Sequence, residues 1–158
     1  RSVGRVIEPY DSDGMIAAYG FGANINPFGA KNISHCFNLT LTNQNEVPGI
    51  EGVLQQYTQS LNKIQLYGPT YFHEIVQTAA SAAVSMENNQ NEQNYVVLLI
   101  ITDGIINDMQ QTVDAVVGAT ELPLSIIIVG VGDADFSAMD KLDADDVPLK
   151  SSKGVTMK

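Results

Sequence analysis

The chain has 158 residues, and 44% hydrophobic with 16% charged residues is the composition of a globular domain rather than a disordered segment. Its formal net charge is −10, from 8 basic and 18 acidic residues. An acidic surface repels phosphate backbones and anionic lipid headgroups, which argues against nucleic-acid binding and favours cations or basic protein patches as counterparts, unless the charge serves solubility alone.

The first half of the chain carries two strand patterns and two helix patterns. A short apolar run from Met15 to Phe21 predicts a buried strand between turn-forming residues. Ile33 to Leu41 alternates apolar and polar side chains, which predicts a strand with one face in water, as at the edge of a sheet. Apolar residues at helical spacing predict helices over Gly49 to Ile64 and Tyr71 to Met86, and the polar stretch Asn88 to Asn94 predicts a loop.

The second half is dominated by two strongly apolar strands. Tyr95 to Ile101 has seven residues without a charge, too short to span a bilayer but typical of a central strand buried on both faces. Leu124 to Val131 predicts a second strand of this kind, and a helix is predicted between them from Asp108 to Leu122. Phe136 to Leu142 is a short helix or turn, and the tail from Asp143 onward is polar without a clear pattern.

The order of these elements predicts an α/β fold, a doubly wound and mostly parallel sheet in a single domain. In such sheets ligands bind beyond the carboxyl ends of the strands. Asp103 follows an apolar strand there, and it either meets a cation or caps the next helix. Thr70 follows a Gly-Pro turn, and its hydroxyl either caps the helix beyond it or faces a ligand. We expect Asn107 and Asp108 to cap the helix that follows them.

Other polar residues give weaker signals. His35 and His73 lie alone in the pattern, and no nucleophile motif accompanies either. No glycine-rich phosphate loop follows a strand, and the single cysteine, Cys36, excludes an internal disulfide and a cysteine-based zinc site. No catalytic residue is therefore predicted. Six aspartates after the last strand lack the spacing of an EF-hand calcium loop and predict a solvated acidic face: Asp133, Asp135, Asp140, Asp143, Asp145 and Asp146.

Several segments, taken in order, carry a family resemblance over nearly the whole chain. They are Tyr10-Asp11-Ser12-Asp13, Tyr19-Gly20-Phe21-Gly22-Ala23, Gln65-Leu66-Tyr67-Gly68-Pro69-Thr70, Leu98-Leu99-Ile100-Ile101-Thr102-Asp103-Gly104, Asp108-Met109, Leu122-Pro123, Ile126-Ile127-Ile128-Val129-Gly130-Val131-Gly132, Ala134-Asp135-Phe136, Met139 and Leu142-Asp143. Together they resemble a von Willebrand factor A-type domain, and more narrowly the A domain of copines. The resemblance implies a mostly parallel sheet with one antiparallel edge strand and helices on both faces.

The resemblance also implies a metal-ion-dependent adhesion site at the carboxyl end of the sheet. Thr70 would be the threonine of its second loop and Asp103 the aspartate of its third loop. Hard oxygen donors of this kind suit Mg²⁺ or Mn²⁺, with water and a partner's carboxylate completing the shell. The first loop of the family, an Asp-x-Ser-x-Ser pattern after the first strand, has no match, because Asp11-Ser12-Asp13 precedes a strand.

We therefore expect residues 1–158 to be one domain that is incomplete at its N-terminus and binds Mg²⁺ or Mn²⁺ weakly at best. The expected function is a protein-interaction module, not an enzyme, that recruits target proteins through the strand-end face. The resemblance implies a cytoplasmic parent protein with calcium-dependent peripheral membrane association, its Ca²⁺ and phospholipid bound by modules outside this chain. The alternatives are a vestigial metal site, or a metal-assisted hydrolase or phosphotransferase with a base or nucleophile beside Asp103.

Overall fold

The computed structural model describes residues 2–86, 93–144 and 147–157. The chain divides into two compact units, an N-terminal unit of residues 1–68 and a C-terminal unit of residues 69–158. Both units contain helices and strands, which confirms the predicted α/β class. Within the described residues, no helix has the length and apolar character that crossing a bilayer requires.

The N-terminal unit has one helix near the start of its sequence and a longer one near the end. A carboxylate oxygen of Glu8 accepts a hydrogen bond from Ile50 N at 3.2 Å, in the first turn of the second helix. The residue at the N-cap position of that helix is Pro48, whose side chain has no acceptor, so Glu8 supplies the capping group from elsewhere in the unit. The helical elements are α1 (Ser2–Ile7), a 3-10 turn (Glu8–Tyr10) and α2 (Gly49–Leu61).

The strands of the N-terminal unit are short, and every pairing among them is antiparallel. β1 pairs with β6, β2 pairs with β5, and β3 lies between β4 and β7. A small core forms where Ala18, Leu39 and Val47 pack together, with Val53 of α2 against them. The strands are β1 (Met15–Ala17), β2 (Tyr19–Gly20), β3 (Ala23–Asn24), β4 (Ile33–Ser34), β5 (Phe37–Asn38), β6 (Glu46–Pro48) and β7 (Gln65–Leu66).

The two continuous strands predicted in this region, Met15 to Phe21 and Ile33 to Leu41, are therefore wrong. The first is interrupted by a change of hydrogen-bond partner and the second by a local turn. At Ala18 the chain changes partner: its N–H donates to Asn45 O at 2.8 Å, and its carbonyl accepts from Leu39 N at 2.9 Å. In the second case the Ser34 hydroxyl donates to Cys36 O at 3.0 Å and offers the backbone a turn in place of a ladder. Neither signal is visible in hydrophobic periodicity.

The C-terminal unit contains one parallel strand pair with helices on one of its faces. Val96 pairs with Leu124 at one end of the register, and Thr102 pairs with Gly130 at the other. Parallel pairing requires a crossover, which a helix provides. Among the described residues this is the extent of the parallel sheet, smaller than the mostly parallel sheet predicted. The elements are α3 (His73–Ser85), β8 (Val96–Thr102), α4 (Met109–Gly118), β9 (Leu124–Gly130) and α5 (Ser137–Asp143).

The two faces of β8 differ in burial. Ile100 is 2% exposed on the face where α3 packs, whereas Val97 is 43% and Ile101 is 52% exposed on the opposite face. The prediction that this strand is buried on both faces is therefore wrong for the described residues. The predicted loop at Asn88 to Asn94 lies outside the described residues, apart from its last two positions.

The C-terminal segment packs on α4, although its sequence carries no clear pattern. Leu149 is 4% exposed and lies in a cluster with Val113 and Val117. A β-bridge between Lys150 and Thr156 closes a turn. Ser152 in that turn donates to the Asp114 carboxylate of α4 through its N–H at 2.7 Å and through its hydroxyl at 2.6 Å.

Replacing Leu149 by alanine should lower the free energy of unfolding by about 2–5 kcal/mol, since it leaves a cavity against α4. Val147→Ala is the matched control, because Val147 is 73% exposed and surface truncations change stability by about 0.5 kcal/mol or less. Urea unfolding followed by circular dichroism measures both. Equal midpoints for the two variants would show that Leu149 contributes nothing to this core.

Candidate functional site

Two loops of the C-terminal unit meet at the carboxyl end of β8. One is the segment 69–72 before α3, and the other is the segment 103–108 between β8 and α4. Thr70 N donates to the Asn107 side-chain oxygen at 2.8 Å. In return Asn107 N donates to Thr70 O at 2.9 Å. This reciprocal pair sets the two loops side by side.

The carboxylate of Asp108 also joins the same two loops through hydrogen bonds. It accepts hydrogen bonds from Phe72 N, at 3.0 Å to each oxygen, and from His73 N at 2.9 Å. These donors belong to the first turn of α3, where backbone N–H groups lack helical partners and the helix dipole favours negative charge. Asp108 is 2% exposed, and Phe72 is fully buried beside it.

The prediction that Asn107 and Asp108 cap the helix after them is therefore wrong. Asp108 occupies the N-cap position of α4, but its side chain makes no cap hydrogen bond there. It caps α3 instead, whose own N-cap residue is Phe72 and has no polar side chain. The spacing of these residues along the chain, about 36 positions, gives no sequence signal for this contact.

Two opposing effects act on the pKa of Asp108. Burial alone raises it, because a carboxylate loses hydration when it is removed from water. The hydrogen bonds from the backbone and ring of His73 and from Phe72 N stabilise the ionised form and outweigh burial, so the pKa lies below its ordinary value. The group is therefore a carboxylate at neutral pH.

The sequence pattern indicated that His73 lies alone, but in the structure it has a partner. Its ring nitrogen Nδ1 lies 2.7 Å from Asp108 Oδ2. An ionised carboxylate only accepts hydrogen bonds, so Nδ1 is the nitrogen that carries the proton. The ring is partly exposed, with 23% of its side chain accessible. An imidazole oriented by a buried carboxylate is a feature that sequence reasoning missed.

The two residues predicted as metal ligands lie on these two loops. Thr70 is half-buried and does not cap α3, since Phe72 occupies that position. A Cβ atom built on Gly104 would lie 3.3 Å from the Thr70 hydroxyl oxygen. Thr70 therefore faces the residue directly after Asp103, and Asp103 itself is exposed. A side chain at position 104 would crowd the hydroxyl, which favours glycine there.

Comparison with known proteins identifies the family of this chain. The copine family model matches residues 1–158. This chain belongs to the copine family. It is 50% identical over 151 residues to Copine-A of Dictyostelium discoideum, covering 95% of the chain and 25% of that protein. It is also 50% identical over 154 residues to Protein BONZAI 1 of Arabidopsis thaliana, covering 96% of the chain and 26% of that protein.

Family membership confirms the resemblance drawn from the sequence. The copine chain spans about a quarter of the length of these two relatives. Neither relative's name states an enzyme activity.

The donor atoms of this copine chain fit a small hard cation in kind but fill only part of its shell. A hydroxyl from Thr70 and a carboxylate from Asp103 are oxygen donors of the type Mg²⁺ and Mn²⁺ take, and such ions keep several waters. Within the described ranges, no group of three or more histidine, cysteine or acidic side chains is arranged to hold a metal ion. Two protein donors leave the remaining positions to water or to a partner.

The aspartates after β9 do not add to this site. Asp133 is exposed, and Asp135 accepts a hydrogen bond from Ser137 N at 2.9 Å at the start of α5. The hydrogen bonds from Ser137 lower the pKa of Asp135 from its ordinary value. Asp140 and Asp143 are also exposed, as a solvated acidic face requires. The predicted members Asp145 and Asp146 lie outside the described residues.

Asp108→Asn should lower the free energy of unfolding by about 3 kcal/mol at pH 7, because hydrogen bonds to a buried charge are lost and an amide N–H₂ faces the donors. A depressed folded-state pKa means that the carboxylate stabilises the fold above its ordinary value of 3.8, and this contribution is lost as pH falls through the folded pKa. The difference in the free energy of unfolding between wild type and variant should stay constant above about pH 5 and become smaller in more acidic solution.

Urea unfolding across this pH range measures the difference, and Asp133→Asn at an exposed site is the control. A wild type and an Asp108→Asn variant of equal stability at pH 7 would show that the carboxylate does not hold the two loops.

Proposed function

We propose that this chain is the protein-interaction module of a copine-like, calcium-dependent phospholipid-binding protein. It recruits target proteins at the strand-end rim formed by Asp103 and Thr70, with a divalent cation, Mg²⁺ or Mn²⁺, between the chain and its partner. The observation that supports this proposal is the position of the Thr70 hydroxyl oxygen, 3.3 Å from a Cβ atom built on Gly104, the residue that follows Asp103 on the other loop. Membership of the copine family supports it.

Each residue of the rim has a separate task in this proposal. Asp103, exposed at the end of β8, supplies the negative oxygen, and the Thr70 hydroxyl supplies a neutral one. Asn107 and Asp108 keep the two loops in register through hydrogen bonds to backbone N–H groups. The bound cation would supply the positive charge that attracts a carboxylate of the partner.

The negative charge of the C-terminal unit explains why an acidic partner would need a cation in order to bind. The C-terminal unit, residues 69–158, contains 13 acidic and 4 basic residues, which leaves a formal charge of −9. A partner that presents a carboxylate to this surface meets electrostatic repulsion unless a positive charge intervenes. A basic partner would bind without the metal, so metal dependence of binding distinguishes an acidic from a basic target.

We infer the properties of the whole protein from the family resemblance rather than from this segment. Ca²⁺ and phospholipid binding would belong to modules outside this chain, and the parent protein would be cytoplasmic with calcium-dependent peripheral association with membranes. The strongly acidic C-terminal unit is a poor surface for anionic lipid or nucleic acid. In this proposal the chain therefore contributes the protein contact and other modules contribute the membrane contact.

A second candidate is a metal-assisted hydrolase or phosphotransferase. The observation that favours it is the His73–Asp108 pair, because a carboxylate-oriented imidazole is the usual form of a general base. Turnover of a phosphate ester that requires both Asp103 and His73 would support this candidate. Absence of turnover together with metal-dependent binding of a protein partner supports the interaction module.

Isothermal titration with Mn²⁺ tests the proposed site in wild type, Thr70→Ala and Asp103→Ala. Wild type should release heat with a weak affinity, a dissociation constant on the order of 0.1–1 mM, because only two protein donors are available. Asp103→Ala should abolish the signal, and Thr70→Ala should weaken it at least about threefold, since a neutral oxygen contributes less than a charged one. Asp133→Ala removes an exposed carboxylate elsewhere and should change nothing.

Two results would contradict the proposal. One is silence from wild type at millimolar Mn²⁺, which would indicate a vestigial site. The other is unchanged heat from Asp103→Ala, which would place the ion elsewhere.

A further inference from the structure

The hairpin formed by β3 and β4 presents an aromatic side chain at its tip. Ala23 pairs with Ser34 and Asn24 pairs with Ile33, so residues 25–32 form the connecting loop. Phe28 lies in this loop and is 95% exposed. A phenylalanine this exposed contributes nothing to the core of its own chain and offers its whole ring to a binding partner.

Hydrogen bonds within the loop hold the backbone around Phe28 in position. The Asn24 side-chain oxygen accepts from Asn26 N at 3.2 Å and from Asn32 N at 2.9 Å, and Asn24 is only 6% exposed. The Asn26 amide donates to Ala30 O at 3.3 Å, and Gly29 N donates to Asn26 O at 3.2 Å. The loop is therefore preorganised, which lowers the entropy lost when it binds.

The hairpin also carries no negative charge, although the chain as a whole is acidic. No acidic residue occurs between Asp13 and Glu46, whereas Lys31 lies within the hairpin loop. The Lys31 ammonium lies 3.8 Å from the centre of the Tyr67 ring, a cation–π contact that orients it. The tip thus combines an exposed ring with a positioned positive charge.

The C-terminal unit contains a cleft with the complementary properties. It has a volume of about 310 Å³ and lies between the covered face of the sheet, α4 and α5. Asp140 and Asp143 of α5 line it, three positions apart and hence on one face of the helix. Neither carboxylate has an ion-pair partner in the described ranges of the chain. The apolar lining includes Val116, Ile128, Phe136, Met139 and Leu142.

We propose that the Phe28 hairpin of one copy of this chain docks in the α4–α5 cleft of a second copy. The ring of Phe28 enters the cleft against its apolar side chains, and Lys31 faces the carboxylates of Asp140 and Asp143. An apolar cavity of about 150 Å³ is enough to hold benzene, so the cleft accommodates a phenyl ring and part of the adjoining loop. Phe28 is not seated in a cleft of its own chain, since the ring is exposed.

Each copy has one hairpin and one cleft, so two copies either exchange hairpins in a closed two-fold dimer or associate head to tail into chains or rings. One buried aromatic ring and one partly exposed ion pair make a small interface, so the association is weak. It operates where copies are concentrated, and it uses residues separate from Thr70 and Asp103.

Sedimentation velocity of the full chain between about 5 and 500 µM covers the range expected of so small an interface. The average sedimentation coefficient of wild type should rise with concentration. Phe28→Ala should raise the dissociation constant at least about tenfold, because it removes the anchoring ring. Tyr57→Ala is the matched control, since it truncates another exposed aromatic residue, 53% accessible, on α2. Far-ultraviolet circular dichroism verifies that every variant is folded.

A charge exchange gives the decisive measurement. Lys31→Glu alone and Asp140→Lys/Asp143→Lys alone should each stay monomeric, because hairpin and cleft then repel within each population. An equimolar mixture of the two variants should associate again, since each hairpin meets a cleft of opposite charge. A wild type that stays monomeric to the highest concentration overturns the proposal. So does a Phe28→Ala variant that associates like wild type, or a mixture that remains monomeric.

Discussion

The carboxylate of Asp108 accepts hydrogen bonds from the first turn of a helix other than its own, and the candidate site depends on this contact. A buried carboxylate without partners is costly, but backbone N–H groups at a helix N-terminus and the ring of His73 satisfy it. The contact joins the loop that carries Thr70 to the loop that carries Asp103. The positions of Thr70 and Asp103 therefore depend on the main-chain N–H groups that bind Asp108.

The parallel strand pair gives this rim its support. β8 and β9 run side by side over their full lengths, so their carboxyl ends meet at one edge, where Asp103 emerges. The face that carries Ile100 is covered by helices, and it provides both a core and the wall of the α4–α5 cleft. One short sheet thus supports two surfaces of different chemistry, a polar rim at its end and, on its face, a cleft lined by apolar and acidic side chains.

The sequence predicted what depends on local patterns and missed what depends on distant partners. Helical stripes identified α2 and α3, and two apolar runs identified β8 and β9, because burial imposes a period on each. The strands of the N-terminal unit are only two or three residues long, which is too short for a period to be read. Their pairing depends on contacts such as those of Ala18, which no local pattern records.

The same division holds for the site. Asp103 and Thr70 could be proposed because strand ends are where ligands bind in such sheets and because the segments around them match the copine pattern. Asp108 was misinterpreted because an aspartate before a helix has the same local pattern whether it caps that helix or another one. His73 was missed because its partner is defined only by tertiary structure.

The contact at Asp108 joins a side-chain acceptor to donors that are mostly main-chain groups, so its two sides differ in how they tolerate substitution. Two of its three donor groups are main-chain N–H groups, which nineteen of the twenty amino acids possess. Position 73 can therefore exchange histidine for any residue except proline and keep its main-chain bond. Position 108 has less freedom, because its Oδ2 atom accepts from both N–H groups and only a short side chain that ends in an acceptor oxygen can replace it. Random mutagenesis should therefore recover many folded variants at position 73 and few at position 108.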